Sequence, residues 1–216
     1  MAWHNKATGA YARESDEAFD NAMMAWSILN SKGWSLLAFC GYWGNVGSES
    51  GWNPWRWQSD SVLPFGDPRI DYQNGHAYGL VQWDPAAKYI TGGKKYNGYK
   101  PNYSNRPGGP KEGNAQVYFM DATAVSSGQY FPNPGYNYQI SYDDYKQMTL
   151  DDYTFEYATR AWFHNYERGT WDNQRVISCE YFYYKLLGID PPPPEPEEKK
   201  IPIWLLFKIK EQNQVS

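Results

Sequence analysis

Glu49 is the residue whose setting first suggests chemistry. A glycosidic bond breaks when a carboxylic acid, still protonated near neutral pH, gives its proton to the leaving oxygen. Glu49 falls where a helix is expected to end, so the negative pole of the helix opposes its charged form. Trp52, Trp55 and Trp57 follow closely enough to strip water from it, and both effects favour a neutral carboxyl. Such a reaction also needs a second carboxylate to activate water or steady a cationic ring, unless the substrate's own N-acetyl group or C6 hydroxyl does so. Asp60, Asp67, Asp71 and Asp84 are candidates for that role, although aspartates in such loops commonly form turns. Ser50 is placed to hydrogen-bond near the acid or the adjacent turn. Gln82 offers both a donor and an acceptor, and Asn165 with Tyr166 approaches from a later helix face.

Other chemistries find little support. His4, His76 and His164 stand apart, and no His-x-x-x-His or Cys-x-x-Cys spacing occurs, so neither a metal nor a cofactor is expected. Cys40 with His76 or His164 would be the raw material of a thiol amidase. It falls in mid-helix on the apolar side, where a nucleophilic thiolate is not activated. Buried free thiols are the expectation for both Cys40 and Cys179.

The whole chain sets bounds on the partner. Its 216 residues make one domain of ordinary size, with room for an appendage. Twenty Lys plus Arg against 24 Asp plus Glu leave a net charge of −4, which offers no field for a phosphate backbone. Nucleic acid is therefore not an expected partner. Aromatic residues make up 19%, from 11 Trp, 20 Tyr and 9 Phe, while the mean hydropathy is −0.79. Many of these rings are expected at the surface, where aromatic faces stack on sugars; filling a core or an interface uses the same residues. No stretch approaches the roughly 20 apolar residues of a membrane span, and the first residues do not have the pattern of a secretory signal, so synthesis in a cytoplasm is expected.

These residues must be held by helices. Ser15 caps a helix to about Ser31, closed by Gly33, and Ser35 caps a second that carries Gly44 and Gly47 and ends near Ser48 and Glu49. Its glycines predict very close packing against a neighbour. A short helix is expected around Ala86 to Ile90, another capped by Asn114, another opened by Thr149 and closed by Gly169, and a last from Trp171 to Leu187. Trp52 to Tyr78 predicts loops with short irregular strands, and Gly92 to Gly113 an exposed loop. Residues 1–14 are an N-terminal arm and 15–188 the main domain. Residues 189–200 form a stiff Pro-rich acidic linker, and 201–216 an apolar segment that docks on a partner.

Three motifs occur in order: Gly44-Asn45-Val46-Gly47-Ser48-Glu49-Ser50, Tyr78-Gly79-Leu80-Val81-Gln82-Trp83, and Ala161-Trp162-Phe163-His164-Asn165-Tyr166-Glu167-Arg168. The set resembles the lysozyme superfamily. With Ser31 to Trp34 and Asn53-Pro54 added, it is more closely similar to the phage tail lysozyme family, over about Ser15 to Leu187. Asp84 stands where a small hydroxyl residue is expected, and Gly169 where a Pro often follows the Arg.

The resemblance implies an α+β, mainly α, lysozyme-like fold with a small β or loop lobe, to which the Pro-rich C-terminal tail is added. It implies a muramidase cutting the β-1,4 bond between N-acetylmuramic acid and N-acetylglucosamine, with Glu49 as the acid and a second carboxylate on strands between the first two motifs, which puts Asp60 and Asp71 ahead for that role. Ser50, Tyr78, Gln82, Trp83, Asn165 and Tyr166 would line the sugar cleft. The protein would sit at the tail tip of a virion, be made in the host cytoplasm, and open the host wall during infection. Its partners would be peptidoglycan strands and, through the C-terminal tail, other tail proteins. A silent glycan-binding tail protein and a lytic transglycosylase using the same acid remain the alternatives.

Overall fold

The computed structural model describes residues 3–4, 13–58, 76–92 and 112–192. Local sequence fixes the first two helices. The Ser15 hydroxyl accepts the Ala18 N–H at 3.2 Å and opens α1 (Asp16–Ser31), whose first turn carries Asp16 and Glu17 at the positive end of the dipole. The Ser35 hydroxyl does the same for Ala38 at 3.2 Å and opens α2 (Leu36–Ser50). Gly51, in the left-handed region, closes α2 by donating to the Gly47 carbonyl.

The core is built around α2, which is buried along most of its length. Its most extensive contacts are with α7 (Gln174–Leu186) and then α6 (Phe155–Trp162), while α1 packs on α4 (Glu112–Thr123). Such close approach needs glycine. A methyl group at Gly44 would collide with the Arg175 backbone carbonyl, and at Gly41 it would lie 2.8 Å from the Ala158 backbone. Cys40 and Cys179 are buried free thiols in this core.

Two short helices complete the set, α3 (Ala87–Gly92) and α5 (Tyr142–Lys146), the latter capped by Ser141. Three sequence expectations move. The helix expected after Asn114 begins two residues earlier at Glu112, and Asn114 instead accepts the Trp3 indole N–H at 2.7 Å. Thr149 heads only a turn, and α6 starts at Phe155 with Thr154 as its cap. The same chain does not run on as α-helix to Gly169: it widens into a π-helical segment, Phe163–Glu167, ended by Arg168 at φ +59°.

The expected small β lobe is not found, and the fold is mainly α-helical. Among the described residues there is no strand or sheet, only the isolated bridges Trp57 to Tyr78 and Tyr78 to Trp83. Between the bridged residues Tyr78 and Trp83, Gly79 (φ +87°) and Gln82 (φ +48°) coil the chain into a tight turn, which leaves no extended run for a ladder there. Residues 59–75 of the stretch expected to carry strands, and 93–111 of the expected exposed loop, lie outside the described residues.

Among the described residues many aromatics fill the core, and nearly all the others pack partly buried around it. Trp34, Trp43, Trp52, Trp162, Tyr42, Tyr78, Tyr89, Tyr145 and Tyr166 are fully buried, whereas Phe131 and Tyr136 are the large aromatics exposed among the described residues. A low mean hydropathy misleads here because the index counts Tyr and Trp as polar, while several of their polar tips find partners inside. Trp34 donates to Asp121 at 2.8 Å, Trp52 to the Trp43 carbonyl at 3.0 Å, and Tyr145 to the Ala38 carbonyl at 3.0 Å.

Candidate functional site

A cavity of about 260 Å³ opens where the last turn of α2 meets the 81–84 turn and the end of the π-helical segment. Glu49 comes from α2, Val81 to Asp84 from the turn, Lys88 from α3, and Tyr166 to Gly169 from the far wall, with Gln129 beside them. The far wall is the end of the π-helical segment, where the Arg168 N–H donates to the Phe163 carbonyl at 2.8 Å across the widened turn, and Tyr166, Glu167 and Arg168 all line the cavity.

Electrostatically the site is two carboxylates around one buried cation. Arg175, 4% exposed in α7, donates from Nη2 to Glu49 Oε1 at 2.8 Å and from Nη1 to Asn45 Oδ1 at 3.0 Å. Asn45 and Glu49 lie one turn apart on α2 and hold the same guanidinium, which also sits 5.0 Å from the Phe163 ring centre. Asn45 is itself fixed by donating to the carbonyls of Gly41 at 2.8 Å and Thr159 at 3.0 Å. The tight α2–α7 contact at Gly44 is thus what sets Arg175 against Glu49. Glu167 accepts the Trp162 indole N–H at 3.1 Å. Burial, then the neighbouring Glu49 charge, pushes its carboxyl up to about 8, against the opposing pull of Arg175, the Trp162 hydrogen bond and Arg168.

The expected site residues divide into two groups. Glu49, Gln82, Trp83 and Tyr166 meet at the cavity. Gln82 Nε2 donates to the carbonyls of Arg56 at 3.1 Å and Gly79 at 2.9 Å, and the Trp83 indole is hydrogen-bonded to the Tyr166 hydroxyl. Ser50, Tyr78 and Asn165 turn inward instead. Ser50 is buried and donates to the Val46 carbonyl at 3.1 Å. Tyr78 is buried with its hydroxyl on Glu112 at 3.2 Å. Asn165 donates to the Tyr138 carbonyl at 2.9 Å and accepts the Asn133 N–H at 2.9 Å, which holds the 130–138 loop. The cavity walls do not include Trp52, Trp55 or Trp57, and Trp52 packs edge-on to Phe182. Asp60, Asp67 and Asp71 lie outside the described residues.

Sequence reasoning gave no role to Glu167, Arg175, Glu112 or Gln116. The signal for Glu167 was present in Tyr166-Glu167-Arg168, whereas nothing in sequence marks Arg175 as buried. Glu112 and Gln116 form a polar latch behind the turn. Gln116 accepts the Leu80 N–H at 2.7 Å and donates to the Pro54 carbonyl at 2.6 Å and to Glu112 at 2.9 Å. Burial raises the Glu112 carboxyl, opposed by hydrogen bonds from Gln116, Tyr89 and Tyr78. A side chain at Gly79 would strike the Gln116 amide, at 2.7 Å from its oxygen, and the positive φ there favours glycine as well.

The phage tail lysozyme family matches residues 20–185, the whole span that carries this cavity. The chain belongs to that family. A relative, morphogenesis protein 1 of Bacillus phage B103, is 36% identical over 83 residues, which are 38% of this chain and 20% of that protein. The chain therefore matches about a fifth of that relative's length. As a phage tail lysozyme family member the protein is a component of the virion tail. Among its described residues no helix is long and apolar enough to cross a membrane.

Proposed function

We propose that this phage tail lysozyme is a muramidase that cuts the β-1,4 bond between N-acetylmuramic acid and N-acetylglucosamine and so opens the host wall from the tail tip. What carries the reading is one convergence: Glu49, Gln82, Trp83 and Tyr166, taken from three motifs far apart in sequence, line one cavity. In the reaction, the Glu49 carboxyl gives its proton to the glycosidic oxygen as the bond from C1 breaks, and water completes the cut at C1. Among the described residues both Gln82 amide bonds in the turn start from Nε2, and its carbonyl oxygen suits an N-acetyl N–H. Lys88 and Arg168, both exposed at the rim, suit the carboxylates of the peptide stems.

Clearing of purified cell walls by the unaltered chain and by Glu49→Gln tests this. Loss of about 100-fold or more in rate, with retention of the variant on insoluble peptidoglycan, is the expected result for a missing general acid. Equal rates in both proteins would remove Glu49 from the chemistry, and binding without clearing by either would favour a glycan-binding tail component.

A further inference from the structure

A proton donor must be neutral when it acts, yet Glu49 is salt-bridged to a buried guanidinium. Of the other two carboxyls on the cavity wall, Asp84 is exposed to solvent, and Glu167 is differently placed. Among the described residues it takes a hydrogen bond from the neutral Trp162 indole and forms no ion pair. Arg175 cannot turn to it freely, because its Nη atoms are tied to Asn45, Glu49 and the Thr170 carbonyl, and its buried Nε has no hydrogen-bond partner. Two carboxyls thus face one fixed cation in a confined space. One proton shared between them removes the uncompensated charge.

We propose that Glu167 is the second carboxyl of this site and shares with Glu49 the single proton used in the cleavage, holding it until the glycan oxygen is in place. This rests on the muramidase reading of the same cavity. Glu167 acts through Glu49 and is a positioning residue for the proton. The proton passes from Glu167 to Glu49 and on to the glycosidic oxygen, which keeps the electron pair of the broken bond to C1. Water then adds to C1, and the proton it releases returns to the carboxyl pair, so one water is consumed and the pair is restored.

The charged and titratable groups around Glu167 come from every neighbouring element. Glu49 and Tyr42 face it from α2, Arg175 from α7, and Tyr166 and Arg168 from its own segment. Asp84 and Lys88 stand on the same cavity. Burial and the Glu49 charge both favour the protonated form of Glu167, and Arg175 and Arg168 only partly offset them.

The test is the pH profile of kcat/KM for the full chain and Glu167→Gln, each scaled to its own maximum. The Gln amide oxygen can still accept from Trp162. The alkaline limb should move to lower pH by about one unit or more, because the group whose protonated form burial favours is then gone from the cavity. A limb that coincides with that of the unaltered chain would overturn the proposal. An infrared titration of the carboxyl C=O band reads the same proton without substrate. Glu167→Gln should delete a component that persists above about pH 6, and Glu49→Gln should move that component to lower pH. A component indifferent to both substitutions would overturn the proposal even if the first variant folded poorly. Absence of any cleavage by the unaltered chain would count against the muramidase reading, while the infrared result would still decide where the proton resides.

Discussion

Arg175 shows how much of this site depends on single side chains. Removing one partner of a buried ion pair leaves the other uncompensated, at a cost of about 3 to 5 kcal/mol. Arg175→Met is expected to destabilise the protein by about that amount in chemical denaturation at pH 7. Unchanged stability would contradict the account of Arg175 as the buried cation of this site. Glu167 gives a stability signature of its own. Its carboxyl is raised in the fold, so the folded protein holds a proton that the unfolded chain, titrating at about 4.3, releases earlier. Its favourable contribution is therefore present at low pH and is lost as pH rises from the ordinary carboxylate range through about 8. Relative to the unaltered chain, Glu167→Gln should gain in Tm between pH 5 and pH 9. The site was partly legible at this scale. Glu49, Gln82, Trp83 and Tyr166 could be named because motif and helix context mark them. Ser50 could not be told from its neighbour, because one step along a helix is enough to turn a side chain from the cavity to the interior.

Among the elements, α2 carries the account, and its glycines are open to a sharp test. Gly to Ala within a helix ordinarily gains about 1 kcal/mol from propensity. At Gly44 the added methyl would meet the Arg175 carbonyl, so Gly44→Ala should instead cost about 1 to 3 kcal/mol by thermal or chemical denaturation, and reduce cleavage through the displaced Arg175. A stabilised Gly44→Ala would show that α2 and α7 are less tightly joined than described. Ser15 and Ser35 fixed helix starts that were readable because a cap is made within four residues. The start at Glu112 was not, since it depends on partners in the 54 and 78–80 regions. The π-helical widening at Phe163–Glu167 likewise has no periodic signal, because one extra residue per turn is set by what surrounds the helix.

For the molecule as a whole, the apolar spacing of the helices conveyed a mainly helical fold, and the superfamily resemblance added a β lobe that the described residues do not form. Composition suggested rings at the surface, whereas among the described residues packing buried many of them and left only Phe131 and Tyr136 exposed, with tips such as those of Trp34 and Trp52 bonded inside. The C-terminal segment from Ile201 falls outside the described residues, and its proposed role is tail attachment. Deleting Pro191 to Ser216 should leave the cleavage rate within about two-fold while abolishing incorporation into particles, since residues 20–185 span the family match and the cavity. Normal incorporation of the shortened chain would refute that role. The central claim is that this cavity hydrolyses glycan through Glu49, with water as the acceptor. Mass spectrometry of the soluble material released from purified peptidoglycan tests it most directly. New fragments with reducing ends at N-acetylmuramic acid, made by the unaltered chain and absent with Glu49→Gln, are the expected result. Fragments with 1,6-anhydro ends, or the same yield from both proteins, would contradict it.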